Sequence, residues 1–208
     1  MKGTLYLILL TFIASQLTAQ DLPLPAPKQT GGLPLMEALA KRSTSRAFDS
    51  RDISEQQLSG LLWAAFGINR PDGKRTAPSA NNQQATDIYV LLQQGAYVYD
   101  AGSNKLTQVT ADDVRALGGT QAFATNAPVI LVLVADLGRM GNGSDAGKRD
   151  MAFINAGYIS QNAYLYCASE GLATGARASV DRKALGSRLK LRPEQLIVLG
   201  QSVGYSKP

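Results

Sequence analysis

Apolar positions along the chain recur at helical spacing in some stretches and at strand spacing in others. Leu58, Leu61, Leu62, Ala65 and Phe66 line one helical face, with Trp63 off the stripe. Ser54 heads that pattern with Gln57 three residues on, a capping-box spacing, and Gly67 follows the last turn. Pro34 can open a shorter helix through Met36–Lys41. Residues 87–93 (DIYVLLQ) and 96–100 (AYVYD) read as strands, and Gly102-Ser103-Asn104 turns the chain back into 105–109, giving a hairpin. Residues 111–117 read as a short helix. The run 128–136, PVILVLVAD, is apolar without alternation, as expected of a strand covered on both faces. A Gly/Asn/Asp-rich loop is expected over 138–147. A long helix then runs from about Arg149 to Glu170, apolar almost all round and ended by Gly171, and belongs in a domain centre or a subunit interface. Residues 172–180 and 195–203 read as strands with a helix near 182–189 between them. This order predicts an α+β fold, with a mixed or antiparallel central sheet flanked by helices and a long buried central helix.

The ends and the middle of the chain break the periodicity. Residues 1–19, with Lys2 ahead of the apolar run Leu5–Ala14 and a small residue at Ala19, read as an export signal too short to anchor in a bilayer. Residues 20–33, QDLPLPAPKQTGGL, read as an extended Pro/Gly-rich linker, leaving 34–208 as one domain. The stretch 68–84 is polar and aperiodic, and long polar loops inside a compact domain are often functional. Removing the leader takes the formal net charge from +5 to about +4, an excess that suits a bound phosphate better than a nucleic acid. The single Cys167 excludes an intramolecular disulfide and falls in a helical pattern, as a buried structural thiol would. With no histidine in the chain, Ser-His-Asp and Cys-His chemistry is excluded and no zinc site is expected. An enzyme built this way would rely on a bound cofactor.

Two stretches offer chemistry. Residues 41–46 set Lys41, Arg42 and Arg46 among the hydroxyls of Ser43, Thr44 and Ser45. Guanidinium groups match a phosphate bidentately and hydroxyls can fill its remaining acceptors, although the same cluster could be a solvated charged face. The loop APSANNQQ (77–84) presents donors and acceptors together, suiting either the polar edge of a heteroaromatic ring or a plain polar turn. Neither a GxGxxG turn nor a P-loop occurs.

Taken in order, RSTSRAF (42–48), the capped helix ending near Gly67, PSANNQQ (78–84) before a strand, the apolar strand, the long helix, EGLATGARASVD (170–181) and VLGQSVGY (198–205) resemble the FMN-dependent nitroreductase family over roughly residues 35–208. The resemblance implies a nitroreductase-like α+β fold, and a homodimer holding two FMN molecules at its interface. It assigns the flavin phosphate to Arg42, Ser43, Thr44 and Arg46, completed by Lys207. Contacts to the flavin fall to Ser79, Asn82 and Gln84, and backbone N–H groups near its N5 to Ala178 and Ser179. The two distant stretches are thus expected to converge on one cofactor in a cleft across the paired subunits. Ala85-Thr86 stands where the family often has Pro-Trp, which widens the site, and Ala178-Ser179 replaces a common Glu-Gly pair, leaving main-chain contacts there.

The function implied is that of an exported oxidoreductase, periplasmic or extracellular, passing hydride or electrons through the flavin N5 to a small acceptor such as a nitroaromatic or a quinone. No catalytic side chain, metal, nucleic acid or stable membrane anchor is expected. NAD(P)H, the usual donor in the family, is scarce outside the cytoplasm and is in tension with the leader. A non-catalytic flavin- or small-anion-binding protein that retains the fold is the alternative, and a structural or protein-interaction domain with a solvated basic box is the third reading.

Overall fold

The computed structural model describes residues 20–121 and 126–207; the expected leader at 1–19 lies outside the described residues. The chain runs β1 (Leu22–Pro23), α1 (Leu35–Lys41), α2 (Glu55–Phe66), β2 (Thr86–Leu92), β3 (Gly95–Asp100), β4 (Lys105–Thr110), β5 (Val129–Asp136), α3 (Asp145–Glu170), β6 (Ala173–Arg177), α4 (Arg182–Arg188) and β7 (Gln195–Gly204). The strands form one seven-stranded sheet in the order β1-β4-β3-β2-β5-β7-β6. Every neighbouring pair is antiparallel, so the mixed alternative does not apply.

The apolar run becomes β5, paired with β2 and β7. Val129, Leu131 and Leu133 face a cluster built with Leu61 and Leu62 of α2 and Ile159 and Cys167 of α3. Ile130, Val132 and Val134 face a second cluster with Val114, Val180, Leu185 and Leu189. Side chains alternate along a strand, and helices cover both faces, so both alternate sets are apolar. The capping box forms as its spacing predicts: Ser54 Oγ accepts the Gln57 N–H at 3.1 Å and Gln57 Oε1 accepts the Ser54 N–H at 3.0 Å.

Four stretches depart from expectation. Residues 111–117 form only a 3-10 turn at Arg115–Leu117, because the Asp113 carboxylate accepts the Arg115 N–H and holds its guanidinium, a local alternative to a helix. α3 starts at Asp145 rather than near Arg149: Ser144 caps it by accepting the Gly147 N–H, which shortens the expected 138–147 loop. Gly171, at φ +68, ends it in the left-handed region.

α3 is also not buried all round. Ala152, Asn155, Ala156, Ile159, Ser160, Ala163 and Cys167 pack inward, while Phe153, Ile154 and Tyr158 on the other side are 53, 46 and 49% exposed. Leu35, Met36 and Leu39 of α1 extend the same exposed apolar character. Residues 20–33, expected as a linker, are extended but held along the domain. β1 pairs with β4, Ser59 Oγ donates to the Pro25 carbonyl, and Ser169 Oγ accepts the Leu33 N–H at 2.7 Å.

Burial pushes the Cys167 thiol up to about 12. An unfolded thiol ionises near 8.5, so the folded chain keeps a proton that the unfolded chain loses. The stabilisation is whole below about pH 8.5 and is lost as pH rises toward about 12. The stability advantage of the native chain over Cys167→Ala, read as the difference in urea midpoints, is expected to shrink between pH 7 and pH 10. No helix among the described residues is long and apolar enough to cross a membrane.

Candidate functional site

The basic box is laid against β6 by the way α1 ends. Arg42 leaves helical geometry at φ −56, ψ 120, and the chain turns outward into an extended segment. Ser45 donates its N–H to the Thr174 carbonyl at 2.8 Å. The approach is close enough to require glycine in the strand: a Cβ on Gly175 would lie 2.5 Å from the Ser45 carbonyl oxygen. β6 is in turn fixed to α3 by a buried polar chain. Ser160 Oγ donates to Gln201 Oε1 at 2.9 Å, Gln201 Nε2 donates to Thr174 Oγ1 at 3.0 Å, and Thr174 Oγ1 donates to the Ser202 carbonyl at 2.8 Å.

Tyr164 of α3 ties these parts together. Its hydroxyl accepts the Ala176 N–H at 2.8 Å and lies 3.1 Å from Thr44 Oγ1, and its ring sits under the Arg42 guanidinium, 5.4 Å from ring centre to Cζ. Lys207 joins from the C-terminal side. The chain after β7 runs antiparallel to 47–49, with a bridge between Phe48 and Ser206, and the Lys207 N–H reaches the Ala47 carbonyl at 3.3 Å. Among the described residues no carboxylate pairs with Arg42, Arg46 or Lys207, whereas Arg51, Arg115, Arg188 and Arg192 each hold one and Arg139 holds two. Cations without a carboxylate partner among the described residues, set beside hydroxyls, suit an anion.

Four residues beyond Thr174, about 13 Å along the strand direction, the chain passes Ala178 and Ser179, both exposed. Their carbonyls are engaged, Ala178 O by Val180 N–H and Ser179 O by Thr120 N–H, while their own N–H groups make no hydrogen bond among the described residues. Behind them lies Arg177, which donates to the Gly118 and Gly175 carbonyls. Burial draws its guanidinium down to about 10, so it stays cationic at neutral pH and leaves positive charge beneath this turn.

The polar loop lies elsewhere. Arg75 braces it, donating to Gln84 Oε1 at 2.8 Å and to the Phe66 carbonyl at 2.9 Å, with its guanidinium over the Phe66 ring. Gln84 Nε2 donates to the Gly73 carbonyl and to Asn82 Oδ1, and the Gln84 N–H donates to Ser79 Oγ. Gln84 therefore uses both ends of its amide inside the loop. Asn81, Asn82 and Gln84 are all held at positive φ, 51, 53 and 47°, so this network sustains a costly backbone shape.

The expected convergence does not occur within one chain. The loop enters β2 at Thr86, opposite Ala135 at the far end of β5. The box meets Thr174, opposite Val203, which is itself opposite Val129 at the near end. That separation is about 20 Å of strand. Along α3 the loop cavity, lined by Asn81, Gln83 and Met140, touches Lys148 while the box touches Tyr164, about 24 Å apart on the helix axis. Arg42, Ser43, Thr44, Arg46 and Lys207 thus lie at one end of the sheet and Ser79, Asn82 and Gln84 at the other, while Ala178 and Ser179 follow β6 to about the level of Leu133, between the two. The loop must join the end of α2 to the start of β2, which puts it at the opposite end from the box.

Sequence reasoning missed Tyr164, Gly175 and Arg75. A glycine inside a strand signals a close backbone approach and was readable at 175. Nothing in the pattern sets Tyr164 apart from Tyr158 or Tyr166. Gly175→Ala is expected to push the box off β6, and limited proteolysis near residues 42–46 should then quicken severalfold.

Residues 39–205 match the nitroreductase family. A protein of Ralstonia eutropha whose solved structure is described as a nitroreductase is 39% identical, with 90% of each chain covered and a TM-score of 0.86. The Methanocaldococcus jannaschii protein MJ1384, described as a nitroreductase, is 27% identical over 79% of this chain and 88% of its own length. A Staphylococcus epidermidis structure described as an NAD(P)H:FMN oxidoreductase shares the fold at 14% identity and a TM-score of 0.65, over 88% of this chain and 92% of its own. With its fold, and with a family match across most of its length, the chain belongs to the nitroreductase family.

Proposed function

We propose that the protein is a homodimeric FMN-dependent oxidoreductase in which each flavin is held by both chains. The observation that carries this reading is the position of the two half-sites at the two ends of one exposed apolar helix face. Lys148 and Tyr164 are equidistant from Ala156, beside which Gly157 leaves open space where a Cβ would stand. Two copies of α3 packed antiparallel about an axis near Gly157 would set the loop of one chain beside the box of the other. The same packing would cover Phe153, Ile154 and Tyr158, and with them the exposed side chains of α1.

The residues present fit such a cofactor. Arg42, Arg46 and Lys207 offer charge not held in an ion pair among the described residues, Thr44 offers a hydroxyl, and Ala178 and Ser179 offer open N–H groups about a strand-length away. The partner's loop would close the opposite side, with Ser79 and Asn82 as its available polar groups. When bound, FMN supplies hydride or electron transfer at N5 to a small acceptor such as a quinone or a nitroaromatic. This chain's part is to hold the phosphate, hydrogen-bond the ring edge and keep one ring face open. Export is proposed from residues 1–19, and outside the cytoplasm a reductant other than NAD(P)H is proposed as the donor.

The test is the protein purified from its host without added flavin. Expected are a yellow dimer, FMN released by heat, and acceptor reduction by NAD(P)H or dithionite. A colourless protein that cannot be reconstituted with FMN overturns the reading. One that binds FMN but turns over no acceptor leaves only the binding role.

A further inference from the structure

We infer that Tyr164 is a positioning residue of the phosphate end, acting through Thr44 and Arg42; this rests on the FMN reading above. One hydrogen-bond direction at Tyr164 is fixed by its donor, and the other is part of the inference. The Ala176 N–H can only donate, so the Tyr164 oxygen accepts it. The phenolic proton is left with one acceptor among the described residues, Thr44 Oγ1 at 3.1 Å. Once Thr44 Oγ1 receives that proton, its own hydrogen must point away from Tyr164, leaving it for an anion held beside Arg42. A freely rotating surface hydroxyl becomes a donor of fixed direction, and the phenol polarises it further.

The ring performs a second task. Arg42 lies over it with Cζ 5.4 Å from the centroid, a cation–π contact that restrains where the guanidinium sits. Tyr164 thereby joins β6, the hydroxyl of the box and its first arginine into one unit. Preorganisation of this kind acts on the phosphate alone, since the isoalloxazine contacts at Ala178 and Ser179 lie farther along the chain.

The test compares FMN with riboflavin, which lacks the phosphate, on flavin-stripped full-length protein. Variants are Tyr164→Phe, which keeps the ring and loses the hydroxyl, Thr44→Val, and the pair. Each single change is expected to weaken FMN about tenfold and leave riboflavin within twofold, and the double variant should be no weaker than the singles. Equal losses for FMN and riboflavin, additive losses in the pair, or unchanged FMN affinity in either single variant would overturn the inference. Thr44 is exposed, so Thr44→Val keeps the test alive should Tyr164→Phe fail to fold. Wild-type protein that binds neither flavin overturns the FMN reading itself, a result distinct from wild type that binds FMN normally alongside an unaffected Tyr164→Phe.

Discussion

Replacing Arg42 and Arg46 together by alanine is expected to weaken FMN by two orders of magnitude or more while leaving riboflavin binding nearly unchanged. Hydrogen bonds to charged groups contribute about 1.5–3 kcal/mol each, so two arginines on one phosphate account for about 3–6 kcal/mol. The fold should not suffer. Arg46 is exposed, neither arginine holds a carboxylate, and Arg42 gives up only its cation–π contact with Tyr164. Fluorescence titration of flavin-stripped protein, with the melting temperature as control, separates the outcomes. Retained FMN affinity would mean that the box is a solvated face after all.

The second large effect concerns the helix face. Ile154→Glu combined with Tyr158→Glu places two carboxylates on the outer side of α3, where both residues are about half exposed in a single chain. A lone chain tolerates them. In an α3–α3 pairing they would be buried close to their own copies, and burying unpaired charge costs several kcal/mol. Light scattering is expected to report monomers at micromolar concentration, and visible absorbance should show the flavin gone. Loss of the dimer with FMN affinity intact would show that one chain suffices, and would overturn the shared site. A dimer that persists would place the interface elsewhere.

How far the fold could be read from sequence depended on whether the deciding physics was local. The capping box at Ser54 and Gln57, the termination at Gly171 and the doubly covered β5 were legible, because each is set by neighbouring residues or by strand period. The α3 start was misplaced since Gly147 and the polar residues around it resemble a loop until the Ser144 cap is seen. The exposed side of α3 had no sequence signature separating it from a buried one, as an apolar face awaiting a partner has the composition of a core. For the site, the basic box and Gly175 carried usable signals. The placement of the 79–84 loop depends on strand register across β2, β5, β7 and β6, a long-range property that no window of residues contains. Gln84 shows the same limit: its amide type suits a ligand contact, and only coordinates show both ends engaged by Arg75, Gly73 and Asn82.

The docked N-terminal stretch bears on solubility. β4 would otherwise be an edge strand, with open N–H and C=O groups ready to recruit another chain. Two residues of β1 cover it, and the prolines at 23, 25 and 27 prevent the added strand from growing into a new template. A shortened recombinant version beginning at residue 34 would uncover that edge and invite aggregation, even with every candidate flavin contact in place.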